Sequence, residues 1–441
     1  MTPTDLRSRL RADSIRHLWI VYHDYNGRAC AKTIPASKFD DAIERGIVFA
    51  RANLDFALND HMAEGAIFQA QTGDFLAVPD PASYRPLPHL NGVGIVHAFM
   101  LNEDGTPFDG CPRAALRRMV ERYSQRDMRI TLALEAEFAL YRKTDAGDYE
   151  PASADGMFTV AGLTRHAPLM LEIVETLEIM GISVEQLGKE YGPSQFEFTV
   201  RYSDPLTAAD DYLITRLVVK ALANKHGLIA SYMPKAFDHL PGCGLHVHLG
   251  LWSGDQNLLA GDPLSPLGLN VVGGLLAHAP GLNGVGAPTV NSYKRLLPGS
   301  WAPAHIAWGV GNRGTLVRIP DSHQRARIEY RVGDCTCNPY IYLTALLAAG
   351  LDGIDRQLDP GDNMHADDVG HMDADALAAR GIGFLPRDLE TALSAFESDS
   401  ALTAPLSPVI AGEFVKVKRL ELAAYHLAVH PWERALYLEI T

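Results

Sequence analysis

The chain has 441 residues, with 39 Lys and Arg against 53 Asp and Glu, so its formal net charge is −14. Its hydrophobic residues (47%) and charged residues (21%) are ordinary for a globular protein and exclude a disordered chain, a collagen and a disulfide scaffold. This excess of acidic residues argues against a protein that wraps nucleic acid or binds to an anionic membrane surface.

The cysteines and the apolar runs indicate a cytoplasmic protein. The five cysteines form no CxxC pair, which favours reduced and mostly buried thiols over a zinc site or a disulfide frame. Residues 1–16 are too charged for a secretory signal. The longest apolar stretch, 340–351, is far shorter than the roughly 20 residues that cross a bilayer.

Short strands separated by turns are predicted in the first hundred residues. Their apolar runs lie at 18–22, 29–34, 75–78 and 94–100. A stretch rich in Gly, Pro and Asp (102–112) then precedes the first convincing helix. We therefore place a domain boundary there, with an N-terminal domain at 1–108 and a second domain at 109–441.

Strands and helices alternate in the second domain, which predicts a mixed α+β fold. The predicted helices span 113–125, 167–180, 208–226, 339–354 and 388–396. The predicted strands span 130–141, 195–202, 244–251, 316–320 and 326–331.

Several of these strands carry ionisable residues in otherwise apolar sequence. Side chains at i and i+2 share one face of a strand, so Glu135 and Glu137 point to one side, as do His246 and His248. Glu197 and Glu329 lie in similar strands. Unpaired buried carboxylates cost several kcal/mol each, so these groups need cations. Several Glu with one or two His suit Mg²⁺ or Mn²⁺ better than zinc.

Each of these patterns also has an ordinary explanation. A Glu-x-Glu strand is usually a solvated face, and a His-x-His pair is more often two half-buried imidazoles than a metal site. An Arg-x-Glu-x-Arg strand, as at 327–331, is commonly a charge ladder on the surface. Their joint occurrence in apolar strands is what favours a metal site.

A basic segment lies inside this acidic chain. Residues 291–331 contain only two acidic residues, Asp321 and Glu329, against seven basic ones: Lys294, Arg295, Arg313, Arg318, Arg325, Arg327 and Arg331. The planar guanidinium group of arginine can donate two parallel hydrogen bonds to a carboxylate or a phosphate. The glycine pattern at 309–314 matches GxGxxG but leads into a strand ended by proline, which excludes a dinucleotide-binding fingerprint. Carboxylates that can hold divalent ions, next to arginines that can bind phosphate, are typical of a site for phosphoryl transfer.

The motifs together resemble the glutamine synthetase superfamily over nearly the whole chain. The matching blocks, in order, are LEAEF (134–138), KEYGPSQFEF (189–198), GCGLHVHLGLW (242–252), NSYKRLLPG (291–299), WGVGNRGTLVRIP (308–320), RIEYRVGD (327–334) and NPY (338–340). The resemblance implies an N-terminal β-grasp domain and a catalytic domain whose curved antiparallel sheet forms a funnel. It also implies a homo-dodecamer of two rings, with active sites at subunit interfaces.

The resemblance implies roles for individual residues. One of two or three Mg²⁺ or Mn²⁺ ions would be held by Glu137, Glu190 and Glu197, and another by Glu135, His246 and Glu329. His248 would face the ATP phosphates, and Arg295 and Arg331 would bind the carboxylates of L-glutamate. Arg313, Arg318 and Arg327 would bind phosphate groups and stabilise the phosphoryl group in transfer. In the family, ATP phosphorylates the γ-carboxylate of glutamate and an amine then displaces phosphate.

The chain departs from the ammonia-using members of the family at three points. Trp301 precedes Ala-Pro where those members have a flap glutamate, and an indole can attract an alkylammonium by a cation–π contact but cannot accept its proton. Gly242 follows a proline instead of an asparagine, which alters one contact to glutamate. The Asp-Gly-Ser context in which the family's N-terminal Asp completes the amine site is missing here, and Asp55 and Asp60 are the candidates for that Asp.

The flap tryptophan and the segments 395–399 and 431–440 are most similar to γ-glutamylmethylamide synthetases and related γ-glutamyl-amine ligases. We therefore expect an ATP-dependent ligase that joins glutamate to a primary amine, such as methylamine. Glutamine synthesis from ammonia, and ligation of polyamines or ethanolamine, are the near alternatives. A zinc amidohydrolase would need more histidines and an aspartate, and an inactive family member would not keep every implied metal ligand.

Overall fold

The computed structural model describes residues 1–320 and 323–440. Asp321, one of the two acidic residues in the basic segment, lies outside the described residues. The described chain forms two sheets surrounded by helices, which confirms the predicted α+β class.

The N-terminal sheet has six strands in the order β2-β1-β6-β4-β3, with β5 paired to β6. The central strands β1 and β6 run parallel, and the other pairs are antiparallel. β1 is almost entirely buried, as its apolar sequence predicts. The six strands are β1 (His17–His23), β2 (Ala29–Pro35), β3 (Ile47–Ala50), β4 (Asp74–Pro79), β5 (Arg85–Pro86) and β6 (Val93–Leu101).

The second sheet has ten strands and is curled into a half-barrel. Its main order is β14-β15-β16-β12-β7-β10-β9, and all pairs except β14 with β15 are antiparallel. The strands are β7 (Arg129–Lys143), β8 (Tyr149–Pro151), β9 (Val184–Lys189), β10 (Gln195–Val200), β11 (Ile229–Ser231), β12 (Leu245–Ser253), β13 (Gln256–Asn257), β14 (Trp308–Val310), β15 (Val317–Ile319) and β16 (Ile328–Tyr330).

Helices pack around both sheets, and the five predicted ones are all present. They are α1 (Pro3–Ala12), α2 (Phe39–Arg45), α3 (Pro112–Ser124), α4 (Val160–Ile179), α5 (Pro205–Lys225), α6 (Pro266–Ala277), α7 (Ala279–Gly286), α8 (Pro339–Arg356), α9 (Ala374–Ala379), α10 (Leu389–Ser398), α11 (Ser400–Leu427) and α12 (Pro431–Tyr437). Within the described ranges, no helix is long and apolar enough to span a membrane.

The largest correction concerns the start of α4, which begins at Val160 and not at residue 167. Thr159 caps the helix, because its side chain accepts a hydrogen bond from the backbone N–H of Gly162. Pro168 therefore lies inside the helix, although a proline is more usual in a first turn. The strands predicted at 316–320 and 326–331 are also shorter, at three residues each.

One hydrophobic core contains residues from both sheets and from the helices between them, from Leu6 to Leu422. The division into 1–108 and 109–441 therefore stays a prediction. All five cysteines are free and four are buried, as expected from their spacing. The glycine pattern at 309–314 connects two strands, β14 and β15, as predicted.

Candidate active site

The strand registers bring the predicted ligands to one face of the large sheet. His246 on β12 pairs with Glu135 on β7, and Glu197 on β10 pairs with Glu137. Glu329 on β16 pairs with His248 on one side and with Arg318 of β15 on the other. The alternation of side chains along these strands is therefore sufficient to assemble the cluster.

Glu135 lies between the two histidines. Its Oε1 is 3.0 Å from Nδ1 of His246, and its Oε2 is 3.0 Å from Nε2 of His248. Burial alone would raise the pKa of Glu135, but the hydrogen bonds from both imidazoles lower it well below its usual range. Glu135 is therefore ionised and oriented by its neighbours.

Glu329 is almost fully buried and is held by two arginines. Arg318 donates from Nη1 to Oε2 at 2.7 Å, and Arg331 donates to Oε1. Although burial opposes ionisation, Arg331 and the histidines lower the pKa of Glu329 to about 2. A predicted phosphate-binding arginine and a predicted glutamate-binding arginine thus fix a predicted metal ligand.

The remaining three carboxylates crowd together beside this group. The carboxylate of Glu137 accepts hydrogen bonds from the backbone N–H of Gly244 at 2.8 Å and from Nε2 of Gln195 at 3.2 Å. Burial and the charge of Glu137 raise the pKa of Glu190 to about 7. Burial and the charge of Glu135 raise the pKa of Glu197 well above its usual range. Both ligands therefore bind protons more tightly than ordinary carboxylates in the absence of a cation.

The donor atoms fit a divalent cation. Ligand atoms of Glu135, His248 and Glu329 all lie within 4.8 Å of one another. Nδ1 of His248 is buried and, among the described residues, has no hydrogen-bond partner. Carboxylate oxygens with imidazole suit Mg²⁺ or Mn²⁺. Both histidines contact Glu135, so the assignment of His246 as ligand and of His248 to phosphate stays a prediction.

The two predicted glutamate-binding arginines are buried at the edge of the cluster. Arg295 donates to the backbone carbonyls of residues 331–333 at 3.1–3.2 Å. Nε of Arg331 is buried without a hydrogen-bond partner in the described chain, so it has a donor available for an anion.

Gly242 packs directly against Arg295. A Cβ on Gly242 would lie 2.3 Å from the carbonyl oxygen of Pro234 and 3.0 Å from Cγ of Arg295, so only glycine fits. Its own carbonyl accepts a hydrogen bond from Nε2 of Gln195 at 3.0 Å. This contact joins the loop before β12 to β10, one of the strands that carry the predicted metal ligands.

The predicted phosphate-binding arginines differ in environment. Arg318 is half-buried against Glu329, Arg327 is half-buried at the start of β16, and Arg313 is exposed on the turn between β14 and β15. All three belong to one edge of the large sheet, beside the carboxylates. Their roles toward ATP stay a prediction.

Trp301 is 69% exposed and contacts Tyr191, which follows the predicted metal ligand Glu190. The two ring centroids are 6.3 Å apart, and the ring planes are tilted by 34°. The predicted flap residue therefore contacts the residue that follows a predicted metal ligand. Tyr191 was not among the residues predicted from the sequence, although its position next to Glu190 in the KEYG block was a usable signal.

The two candidate aspartates have opposite environments. Asp55 is fully buried, and its Oδ2 accepts a hydrogen bond from the backbone N–H of Phe68 at 3.1 Å. The side chain of Asp60 is 84% exposed, with a salt bridge of 2.8 Å to Arg28. Only Asp60 is accessible to a molecule outside this subunit in the described conformation.

A further residue absent from the sequence predictions is Lys189, which stabilises the turn that carries Glu190. Its buried ammonium donates to the carbonyl oxygens of Glu190 at 2.7 Å and Gly192 at 2.6 Å. A lysine at the end of a strand is ordinary, so no local pattern distinguishes it. Its role depends on tertiary packing against α4, where Lys189 contacts Gly162.

Known proteins resemble this chain along its whole length. The model of the glutamine synthetase catalytic domain matches residues 109–437. A glutamine synthetase from Halobacterium salinarum is 36% identical over 442 aligned residues, covering 98% of this chain and 95% of that protein. A glutamate–methylamine ligase from Methyloversatilis universalis is 32% identical and covers all of both chains.

Solved structures also resemble this chain over nearly its whole length. A structure described as a GmaS/ADP complex superposes with a TM-score of 0.87 at 36% identity and covers 99% of each chain. A structure described as a novel glutamine synthase homolog has a TM-score of 0.83 at 28% identity, covering 94% of this chain and 96% of that one. The chain therefore belongs to the glutamine synthetase family and is an ATP-dependent glutamate–amine ligase.

Proposed function

We propose that this ligase joins the γ-carboxylate of L-glutamate to a small primary alkylamine such as methylamine. ATP transfers its γ-phosphoryl group to the γ-carboxylate and leaves as ADP. The amine nitrogen then attacks the acyl carbon of γ-glutamyl phosphate, phosphate leaves, and the nitrogen loses a proton.

The observation that carries this proposal is Trp301. An indole on the flap cannot take a proton from ammonium, but its face attracts an alkylammonium and contacts the alkyl group. Likeness to a glutamate–methylamine ligase and to the GmaS structures over nearly the whole chain supports the same substrate class.

We assign the carboxylates to divalent ions. Glu137, Glu190 and Glu197 hold one ion, and Glu135, His246 and Glu329 hold another. Bound Mg²⁺ or Mn²⁺ supplies charge neutralisation for the phosphates of ATP and the phosphoryl group in transfer. The raised pKa of Glu190 and the crowding around it support this assignment, because bound cations relieve such repulsion.

The arginines bind the other anions. Arg331 and Arg295 bind the carboxylates of glutamate, and the backbone of Gly242 lines this pocket. Arg331 uses its Nε, which has no hydrogen-bond partner within the described part of the chain. Arg313, Arg318 and Arg327 stabilise the phosphates, together with His248. Guanidinium groups suit both tasks because they donate two parallel hydrogen bonds.

The amine must lose a proton, and we assign this step to Asp60 of a neighbouring subunit. Its exposed side chain is available to a second chain, whereas Asp55 is buried. This assignment implies an oligomer with active sites at subunit interfaces, for which we propose the two-ring dodecamer. Closed symmetric assemblies of this kind are the usual form of oligomeric enzymes.

Glutamine synthesis from ammonia is the second candidate function. It is favoured by relatives described as glutamine synthetases, including that of Halobacterium salinarum at 36% identity. Trp301 opposes it, since the flap then offers no carboxylate to ammonium.

An assay of amine-dependent ADP formation tests the proposal. The protein is mixed with ATP, Mn²⁺ and L-glutamate and with ammonium, methylamine, ethylamine, ethanolamine or putrescine in turn. We expect turnover with methylamine and a product with the mass of γ-glutamylmethylamide. No ADP formation with any amine would exclude the ligation step, and turnover with ammonium alone would select glutamine synthesis.

A further inference from the structure

Beside Glu190, the structure places an aromatic pair that the proposed function uses only in part. Tyr191 and Trp301 come from segments far apart in sequence, yet their ring centroids are 6.3 Å apart. Both side chains are exposed, Tyr191 at 49% and Trp301 at 69%. Contiguous exposed apolar surface often marks a ligand-binding groove.

The turn that carries Tyr191 is held by several hydrogen bonds. Its backbone N–H donates to Oε2 of Glu190 at 3.2 Å, and the turn behind it is closed by the bond from Glu190 N to Gln195 O at 2.8 Å. Lys189 bonds two carbonyls of the same turn, and the N–H of Gly192 donates to Oε1 of Gln195 at 2.8 Å. The backbone from which the phenol ring projects toward Trp301 is therefore well anchored.

We propose that Tyr191 determines amine specificity: with Trp301 it forms an aromatic wall that binds the alkyl group and the positive charge of a primary alkylammonium. This inference rests on the proposed function and adds a second residue to the amine site. Aromatic faces attract organic cations and bury their apolar groups. Ammonium has no alkyl group to bury, so the wall favours methylamine over ammonia.

The two rings suit a small amine. They are tilted by 34°, so they do not form a closed parallel stack. The wall begins one residue after Glu190, which the proposed function assigns to a divalent ion, so a bound amine would lie close to that ion site. A large or strongly polar amine gains less from this surface, since its polar atoms would face the rings without hydrogen-bond partners.

The test compares three variants in steady-state assays with saturating ATP, glutamate and Mn²⁺. Tyr191→Leu keeps apolar volume but removes the ring, Tyr191→Phe keeps the ring, and Tyr149→Leu changes an equally exposed tyrosine on β8. The readout is the ratio of kcat/KM for methylamine to that for ammonium. Manganese affinity and KM for glutamate are measured on the same samples.

We expect Tyr191→Leu to lower this ratio roughly 3- to 30-fold, the range of one cation–π contact. Tyr191→Phe and Tyr149→Leu are expected to keep the ratio within twofold, with manganese affinity unchanged in all three. An unchanged ratio in Tyr191→Leu overturns the inference. A loss of manganese affinity that accounts for the change also overturns it, because Tyr191 then acts through Glu190.

The pairing itself is tested by adding Trp301→Leu in a double-mutant cycle. If both rings bind one amine, the fold-reduction of the ratio in the double variant should be smaller than the product of the fold-reductions in the two single variants. Strictly multiplicative losses contradict a shared wall. The proposed function is tested separately, by the same ratio in the unaltered protein. A preference of that protein for ammonium over every alkylamine would contradict it.

Discussion

Glu137 and Glu197 face each other directly across the paired strands β7 and β10. Like charges in this position destabilise a sheet, and here two further carboxylates, those of Glu135 and Glu190, lie nearby. The sheet therefore has a local repulsion that a bound cation relieves. This relationship connects the stability of the fold to the chemistry of the site.

Metal binding is expected to stabilise the protein through these two residues. Mn²⁺ at 100 times its Kd should add about 2.7 kcal/mol to the free energy of unfolding, since the ion binds only the folded state. Glu197→Gln should be more stable than the unaltered protein without metal but should lose most of the metal-induced shift in Tm. Glu150→Gln, in an exposed pair with Arg142, is the control. An equal shift in Glu197→Gln would argue against its role as a ligand.

Arg331→Lys is expected to weaken glutamate binding. Lysine can still pair with Glu329, but it lacks the second donor that Nε of Arg331 leaves available. KM for glutamate should rise by about 10-fold or more, on the order of a lost charged hydrogen bond, with KM for the amine little changed. Arg142→Lys, on the surface, should behave like the unaltered protein. A rise in the KM of the amine alone would contradict the assignment.

Mixed subunits test the proposed sharing of active sites. Asp60→Ala and Glu329→Gln should each be inactive alone, because each removes a different half of every site. When the two are dissociated and reassembled together, about a quarter of the sites should regain both halves at random. Activity measured after reassembly checks this. Recovery no greater than the sum of the separate variants would place both residues in one subunit's site.

The pH dependence of stability is expected to involve Asp55. Burial and the nearby carboxylate of Glu413 raise the pKa of Asp55 to about 7, from its usual 3.8. A carboxyl with a raised pKa in the folded state stabilises the fold at low pH, and this contribution is lost as the pH rises toward 7. Asp55→Asn, which stays neutral, should therefore gain in Tm over the unaltered protein at pH 8 and gain little at pH 4.5.

Thermal unfolding at both pH values measures this effect. Lys416, which bonds Glu413 at 2.6 Å, is the other charged group in this cluster and is left unaltered. Asp60→Asn, in the same loop but exposed, should show no such difference in Tm. An equal change for Asp55→Asn at both pH values would show that its carboxyl group does not titrate in this range.

The cluster of carboxylates and imidazoles was predictable from sequence because it depends on strand periodicity. Glu135 and Glu137, or His246 and His248, must share a face wherever a strand forms. Burial of the surrounding apolar residues then brings these faces together. The registers that pair His246 with Glu135 and His248 with Glu329 confirm that the predicted strands lie side by side.

Other features depend on contacts that no local pattern encodes. Asp55 and Asp60 lie in the same short segment, and only the packing of 57–66 against α11 buries one and exposes the other. The contact between Tyr191 and Trp301 joins two segments distant in sequence. The start of α4 was missed because a proline inside a helix resembles a proline at its first turn.

The ratio of kcat/KM for methylamine to that for ammonium tests the central claim most directly. It should be measured on the unaltered protein and on Trp301→Glu, with ATP, Mn²⁺ and glutamate saturating and Trp301→Phe as control. We predict a ratio above one for the unaltered protein and Trp301→Phe. Trp301→Glu should lower the ratio by about 10-fold or more, because a flap carboxylate replaces the aromatic face. A ratio below one in the unaltered protein, or no change in Trp301→Glu, would contradict an alkylamine ligase built around this tryptophan.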